Sequence, residues 1–342
     1  MATGNRIVYI DALKLFAIFL VLWGHSIQYL ITDEYYLQPV YRFIYAFHMP
    51  LFMALSGYFV SNSTASGVLD FLVKKGRQLL LPLVSAVGVY YLVVKFSHIP
   101  HDNFITMVGV MLWFLKSAFV CAILYRLSSK CGRYFKYVCI ITVLILICVM
   151  PCGAGYLERL KLDIMYPSFL LGVGLRRYST WINTHLFKVC IIAGGIFLCM
   201  LVKWDAGFWA ESGHVLIAQS ELLNRLYLQL YRIAIGLAGT LFFMTLFEWI
   251  AAKVPGSKFG YMICSLGSYT LGVYILQTFL LEIAMPQLLN FDNQNRLAFV
   301  FITAPIISIG VMAVCLIGVK ILRLFKITSF MFLGIPFSNI KN

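Results

Sequence analysis

Asp11, Lys14 and His25 all stand inside one apolar run, VYIDALKLFAIFLVLWGHSIQYL (8–30), and hydrocarbon tolerates none of the three well. In a helix Asp11 and Lys14 are three apart, so they share a face and can pair. His25 follows Lys14 by eleven residues, three turns plus a small offset, which puts it on nearly the same stripe about 16 Å further along the axis. The face therefore carries a cation near its start. Toward its end it carries the side chain best able to take and return a proton near neutral pH. Two plainer readings compete. Asp11 and Lys14 could mark the helix entrance, with Lys14 reaching back to the interface, and His25 could be an interfacial residue bonded to a neighbour.

The second apolar segment, YRFIYAFHMPLFMALSGYFVSN (41–62), adds Arg42 and His48, followed by Pro50, Ser56 and Gly57. Pro50 frees a backbone carbonyl that another group must satisfy, and Ser56 with Gly57 permits close helix packing. A second histidine at this depth could share a pocket with His25; the alternative is a kinked packing helix and nothing more. Further along, MLWFLKS (111–117) sets Lys116 in an apolar run, and SLGSYTLGVYILQTFLLE (265–282) carries Tyr274, Gln277 and Glu282. Tyr274 and Gln277 are three apart and face together; either could instead be a structural hydrogen bond between helices.

The elements that must hold these groups are set by composition. Of 342 residues 61% are hydrophobic and 12% charged, and the mean hydropathy is +0.89. A soluble globular chain carries roughly a quarter of its residues charged, so this one is an all-α, polytopic transmembrane helix bundle. About ten helices are expected, near 8–30, 39–60, 79–97, 104–125, 136–150, 162–175, 187–202, 226–250, 262–284 and 297–319, with breaks at PCGAG (151–155) and KVPGSKFG (253–260). They form a single domain over 1–342, and the first helix is expected to be retained, being too long and too charged for a signal peptide.

The net charge of +14 is dispersed: VKKGR (73–77), RLSSKCGRYFK (126–136), LRR (175–177) and KILRLFK (320–326) sit between the spans. With both termini cytoplasmic these clusters gather on one side, together with Arg6, Lys188, Lys253, Lys258 and Lys341. Asp33, Glu34, Asp102, Glu158, Asp163, Asp205, Glu211, Glu221 and Asp292 then fall in loops on the other, the expected inside excess of Lys and Arg. The same dispersal argues against nucleic acid as a partner. Nine cysteines lack paired spacing and read as small buried hydrophobes, with no metal site. Phosphate-loop, dinucleotide, zinc-protease and serine-hydrolase motifs are absent. These features alone do not separate an enzyme from a transporter.

Ordered motifs along 6–320 add a resemblance. The chain resembles the integral membrane acyltransferases called acyltransferase family three, which O-acylate sugars of cell-surface glycans. IDALKLFAIFLVLWGH, with Lys14 where that family usually has Arg and His25 at its characteristic histidine, is similar to the first helix. FHMPLFMALSGYF (47–59), FLVKKGRQLLLP (71–82), LWFLKSAFV (112–120, with Trp113), YPSFLLGVGL (166–175) and LGSYTLGVYILQ (266–277) follow in the family's order. Two departures stand out. Lys14 keeps the charge of Arg without its bidentate fork, and Gln277 replaces a histidine, keeping hydrogen bonding but not proton transfer.

The resemblance implies transfer of an acyl group, acetyl by default, from cytoplasmic acyl-CoA as co-substrate to a hydroxyl of a cell-surface or lipid-linked glycan, in a bacterial cytoplasmic membrane. Lys14, Lys75 and Arg77 would meet the CoA phosphates. His25 would be the general base, and Arg42 or His48 would steady the oxyanion, with Asp11, Ser56, Trp113, Tyr274, Gln277 and Glu282 lining or supporting the pocket. No permanently bound cofactor is expected, and the partners are acyl-CoA, the glycan and membrane lipid, with a homodimer left open. The rival reading is a transporter or flippase for a lipid-linked or acidic glycan, with Arg42, Lys116 and Glu282 lining its path. A catalytically dead scaffold is the third.

Overall fold

The computed structural model describes residues 8–31, 33–60, 67–97, 103–149, 159–204, 222–253, 265–292 and 294–337, and these are helical with no strand among them. PCGAG, residues 254–260 and the charged positions Arg6, Asp102, Glu158, Asp205, Glu211, Glu221, Lys258 and Lys341 lie outside the described residues. Each of the ten apolar segments contains helix. In chain order the helices are α1 (Val8–Leu30), α2 (Pro39–Tyr58), α3 (Val68–Phe96), α4 (Phe104–Val110), α5 (Trp113–Ser129), α6 (Phe135–Val149), α7 (Leu162–Arg177), α8 (Leu186–Leu201), α9 (Leu222–Lys253), α10 (Gly267–Leu288), α11 (Arg296–Leu324) and α12 (Lys326–Leu333).

Six of these are long and apolar enough to cross a membrane, or seven if the bent pair α4–α5 is one span. That is fewer than ten because α7 and α8 are 16 residues each and α2 carries its polar groups in mid-helix. Exposed Ile, Leu, Val and Phe side chains run along α6, α8 and α11. Water would not tolerate so continuous an apolar face and lipid would, so the chain is a multipass membrane protein.

Three expectations need correction. VKKGR is helix, not loop: α3 runs unbroken through it into the segment expected to begin at 79. Gly76–Leu80 forms a π turn within it. Pro82 cannot donate a backbone hydrogen bond one turn back, and widening the preceding turn accommodates that loss without ending the helix. The fourth segment is likewise two helices, bent by 65° between α4 and α5, because Leu112 takes a left-handed conformation (φ 48). Lys116 stabilises the break: its ammonium donates to the carbonyls of Val108 at 2.8 Å and Gly109 at 2.6 Å, at the C-terminal end of α4 where the helix dipole favours a cation. Finally, Asp163 is buried in the first turn of α7, where its carboxylate meets that helix's N-terminal amides, and is not a loop residue. Cysteines also divide, Cys121, Cys139, Cys190 and Cys315 being buried while Cys131, Cys148 and Cys199 are exposed.

The core forms where α1, α2, α7 and α9 meet. Phe47 stacks on Phe243 with ring centroids 4.3 Å apart, and Phe16, Phe43 and Phe197 close around them. Among the described helices α2 and α7 make the most extensive contact, and two glycines allow it. A Cβ on Gly57 would run into the carbonyl of Phe169, and one on Gly172 into that of Ala54. The helices therefore touch backbone to backbone.

The bundle has two ends. At one, the start of α1 lies against the start of α10, Gly267 sitting on the Asp11 backbone. Arg323, at the end of α11, donates to the Ser268 carbonyl there. At the other, Phe291 bonds to the carbonyl of Leu30, Arg296 donates to that of Asp33, and Trp204 bonds to Arg42. The first and last long helices thus begin and finish at the same end.

Candidate active site

Two cavities penetrate the bundle. One, of about 520 Å³, lies toward the end where α1 starts and is lined by Lys14, Ser56, Phe59, Lys75, Gln78 and Tyr274, together with Gly334, Ile335 and Pro336. The other, of about 200 Å³, opens toward the opposite end and is lined by His25, His48, Trp113, Lys161, Arg232, Gln277 and Glu282 among others. Val21, Met49 and Tyr274 belong to both linings, so these three side chains form the partition between the cavities.

The smaller cavity brings both histidines together, and each has a defined hydrogen. His25 Nδ1 lies 2.9 Å from Oε1 of Gln277, whose own amide nitrogen donates to Thr278 Oγ1 at 3.2 Å. Because Oε1 only accepts, His25 Nδ1 carries the hydrogen, and in the neutral ring Nε2 keeps its lone pair. His48 repeats the arrangement, with Nδ1 donating to the Ile44 carbonyl at 2.7 Å. Tyr29 packs edge-on to the His25 ring and Tyr45 edge-on to that of His48. Two imidazoles, each steadied through Nδ1 and each presenting a basic Nε2 in its neutral form, are equipped to remove a proton from a hydroxyl. Gln277 can no longer exchange protons as a histidine would, but it can orient one.

The larger cavity carries the cations. Lys14 pairs with Asp11 at 3.2 Å and lies over the Phe59 ring at 4.8 Å, so Asp11 steadies Lys14 without itself lining the cavity. Lys75 reaches the lining from α3. Ser56 is tied to the Phe52 carbonyl at 3.1 Å.

Two expected site residues stand elsewhere. Arg42 is absent from both linings: its guanidinium donates to the Trp204 carbonyl, and Trp204 Nε1 returns a bond to the Arg42 carbonyl at 2.7 Å. It thereby fixes Trp204, which does line the histidine cavity. Arg77 is also outside, its carbonyl side covered by Gly334, and Gln78 takes the lining position. Lys116, spent on the α4 break, lines neither cavity. Residues that sequence reasoning missed are Arg232, Lys161, Thr278, Gln28 and the partition pair Val21 and Met49. Only Arg232 gave a signal, as a cation within an apolar run.

Every described residue lining either cavity falls within 7–319 except Leu333, Gly334, Ile335 and Pro336. That same stretch, 7–319, matches the family model described as acyltransferase domain. The chain belongs to the acyltransferase-domain family.

Its similarity to curated proteins extends over part of that stretch. It is 28% identical over 242 residues to the nodulation protein NolL of Mesorhizobium japonicum, covering 66% of this chain and 64% of that one. To the nodulation protein NolL of Sinorhizobium fredii it is 26% identical over 243 residues, covering 66% and 65%. The chain thus spans a little under two thirds of the length of these relatives. No solved structure gives a significant match. Among the described residues of this acyltransferase-domain protein, no group of three or more His, Cys, Asp or Glu is placed to hold a metal ion.

Proposed function

We propose that this acyltransferase-domain protein moves an acyl group, acetyl by its resemblance, from acyl-CoA to a hydroxyl of a cell-surface or lipid-linked glycan at a bacterial cytoplasmic membrane. One observation carries the reading: a cavity with Lys14 and Lys75 in its wall and a cavity with two histidines meet at Val21, Met49 and Tyr274. Acyl-CoA is an anionic nucleotide joined to a slender thioester arm. Its phosphates suit the lysine end, and the arm can lie along the larger cavity so that the thioester reaches the partition. The glycan enters from the other end, which agrees with both termini being cytoplasmic and the acceptor being presented outside.

In this scheme His25 Nε2 takes the proton of the acceptor hydroxyl as its oxygen attacks the thioester carbonyl carbon. The Tyr274 hydroxyl at the partition donates to the oxyanion, and His48, through the lone pair on Nε2, accepts from the acceptor sugar and orients it. Collapse of the tetrahedral intermediate breaks the carbon–sulfur bond, and His25 returns the proton to the departing CoA sulfur. Gln277 holds the imidazole in the required tautomer throughout. Arg42 acts at a distance, through Trp204.

The test is a pair of variants, His25→Ala and His48→Ala, in cells whose surface glycan acylation is read directly with membrane abundance checked in parallel. His25→Ala should lose transfer by about a hundredfold or more, as removal of a general base does, and His48→Ala should lose part of it. Undiminished transfer in the first variant would end the mechanism. Glycan export that depends on this protein without any acylation would favour the transporter instead.

A further inference from the structure

Arg232 stands in the middle of α9 with 5% of its surface exposed, in the lining of the histidine cavity. It makes no hydrogen bond to any other described residue, and it is not within ion-pair distance of Asp163, the carboxylate whose charge acts on it. Asp163 is engaged elsewhere, accepting from the Gln229 amide at 2.8 Å. A guanidinium carries five N–H donors in a planar fork, and burying them without acceptors is costly unless a ligand supplies the acceptors.

The surroundings hold this group in place. Next to it, Tyr231 donates to the Met200 carbonyl and stacks on Trp204. One turn on, Gly236 lies against Pro50, so the backbone that presents Arg232 is clamped between α2 and α8. Lys161 lines the same cavity with its ammonium 4.7 Å from the Trp113 ring centre, and it holds a left-handed conformation (φ 49) that a non-glycine residue adopts at some cost. Against these two cations Glu282 is the one carboxylate among the described residues of the lining.

We infer that Arg232 is the anion-binding group of an acceptor subsite: the substrate whose hydroxyl reaches His25 carries a carboxylate or phosphate that the guanidinium grips with two parallel hydrogen bonds. This rests on the acyltransferase reading for the word acceptor, but the anion site itself does not. A carboxylate would mark an acidic sugar. A phosphate would mark a sugar phosphate or its lipid-linked form.

The test uses the full chain in detergent with glucose, glucuronate and glucose 1-phosphate as probes. Two readouts are taken: the thermal unfolding midpoint, and transfer from acetyl-CoA. At least one anionic sugar should raise the midpoint where glucose does not, glucuronate alone assigning a carboxylate and glucose 1-phosphate alone a phosphate. Arg232→Gln should abolish that shift and Arg232→Lys should keep part of it. In transfer, R232Q should raise KM for the anionic sugar at least tenfold while KM for acetyl-CoA stays put. The inference is overturned if neither anion shifts the wild-type midpoint, a result that needs no variant to fold, or if R232Q keeps the full shift. An Arg232-dependent shift without transfer to any probe would leave the anion site standing and count against the transferase reading.

Discussion

At the residue scale, the site turns on how two imidazoles are held. Gln277 gives His25 an acceptor for Nδ1–H, so Gln277→Leu should lower kcat about tenfold, the worth of roughly 1.4 kcal/mol of lost orientation, with KM for acyl-CoA unchanged. Steady-state kinetics on the purified protein would show this, and an equal loss in KM would mean that Gln277 binds substrate instead. His25, His48 and Gln277 were readable in the sequence as polar groups in apolar segments, each with a recognisable local motif. Arg42 was readable as a cation in a membrane but not as a clamp on Trp204, because its partner is 162 residues away and nothing local announces the pairing. Arg232 stood equally visible in LQLYRIAIG (228–236). No motif accompanied it, so its relevance emerges only once α9 is seen against α2.

At the level of elements, the glycines of the α2–α7 seam make the sharpest forecast. Gly172→Ala drives a methyl group into the Ala54 carbonyl and should cost about 1–3 kcal/mol, as overpacking of a close contact does. Gly174, two residues on in the same helix, has no neighbour within 4 Å of its would-be Cβ. Gly174→Ala should be neutral or slightly stabilising, since alanine is the better helix former. Comparing the two thermal unfolding midpoints checks the seam, and equal midpoints would refute it. That each apolar run contains helix was legible in the hydropathy; how many are long enough to cross a membrane was not, six or seven standing where ten were expected. The 65° break before Trp113 was not, because hydropathy is blind to the single positive φ at Leu112. Reading VKKGR as a loop failed for a related reason. Charge marks the membrane boundary but does not end a helix, and Lys and Arg are good helix formers.

For the molecule as a whole, the partition between the cavities should govern which acyl groups pass. Val21, Met49 and Tyr274 line both cavities, and a single methylene in an apolar pocket is worth about 10- to 200-fold in discrimination. Met49→Ala should therefore raise use of butyryl-CoA relative to acetyl-CoA by about tenfold, measured by transfer with both donors in competition. An unchanged ratio would place the selectivity elsewhere. The order of the apolar segments could be read along the chain, whereas the meeting of two cavities depends on side chains from six or more helices and has no linear signature. The same holds for Gly334, Ile335 and Pro336, which lie beyond the matched stretch 7–319 yet wall the lysine-lined cavity. Trimming the protein to its family boundaries, swapping the domain into a relative, or hanging a purification tag close behind Phe337 would therefore alter the wall of that cavity. A tail outside the family's boundaries is, for the engineer, one of the working parts.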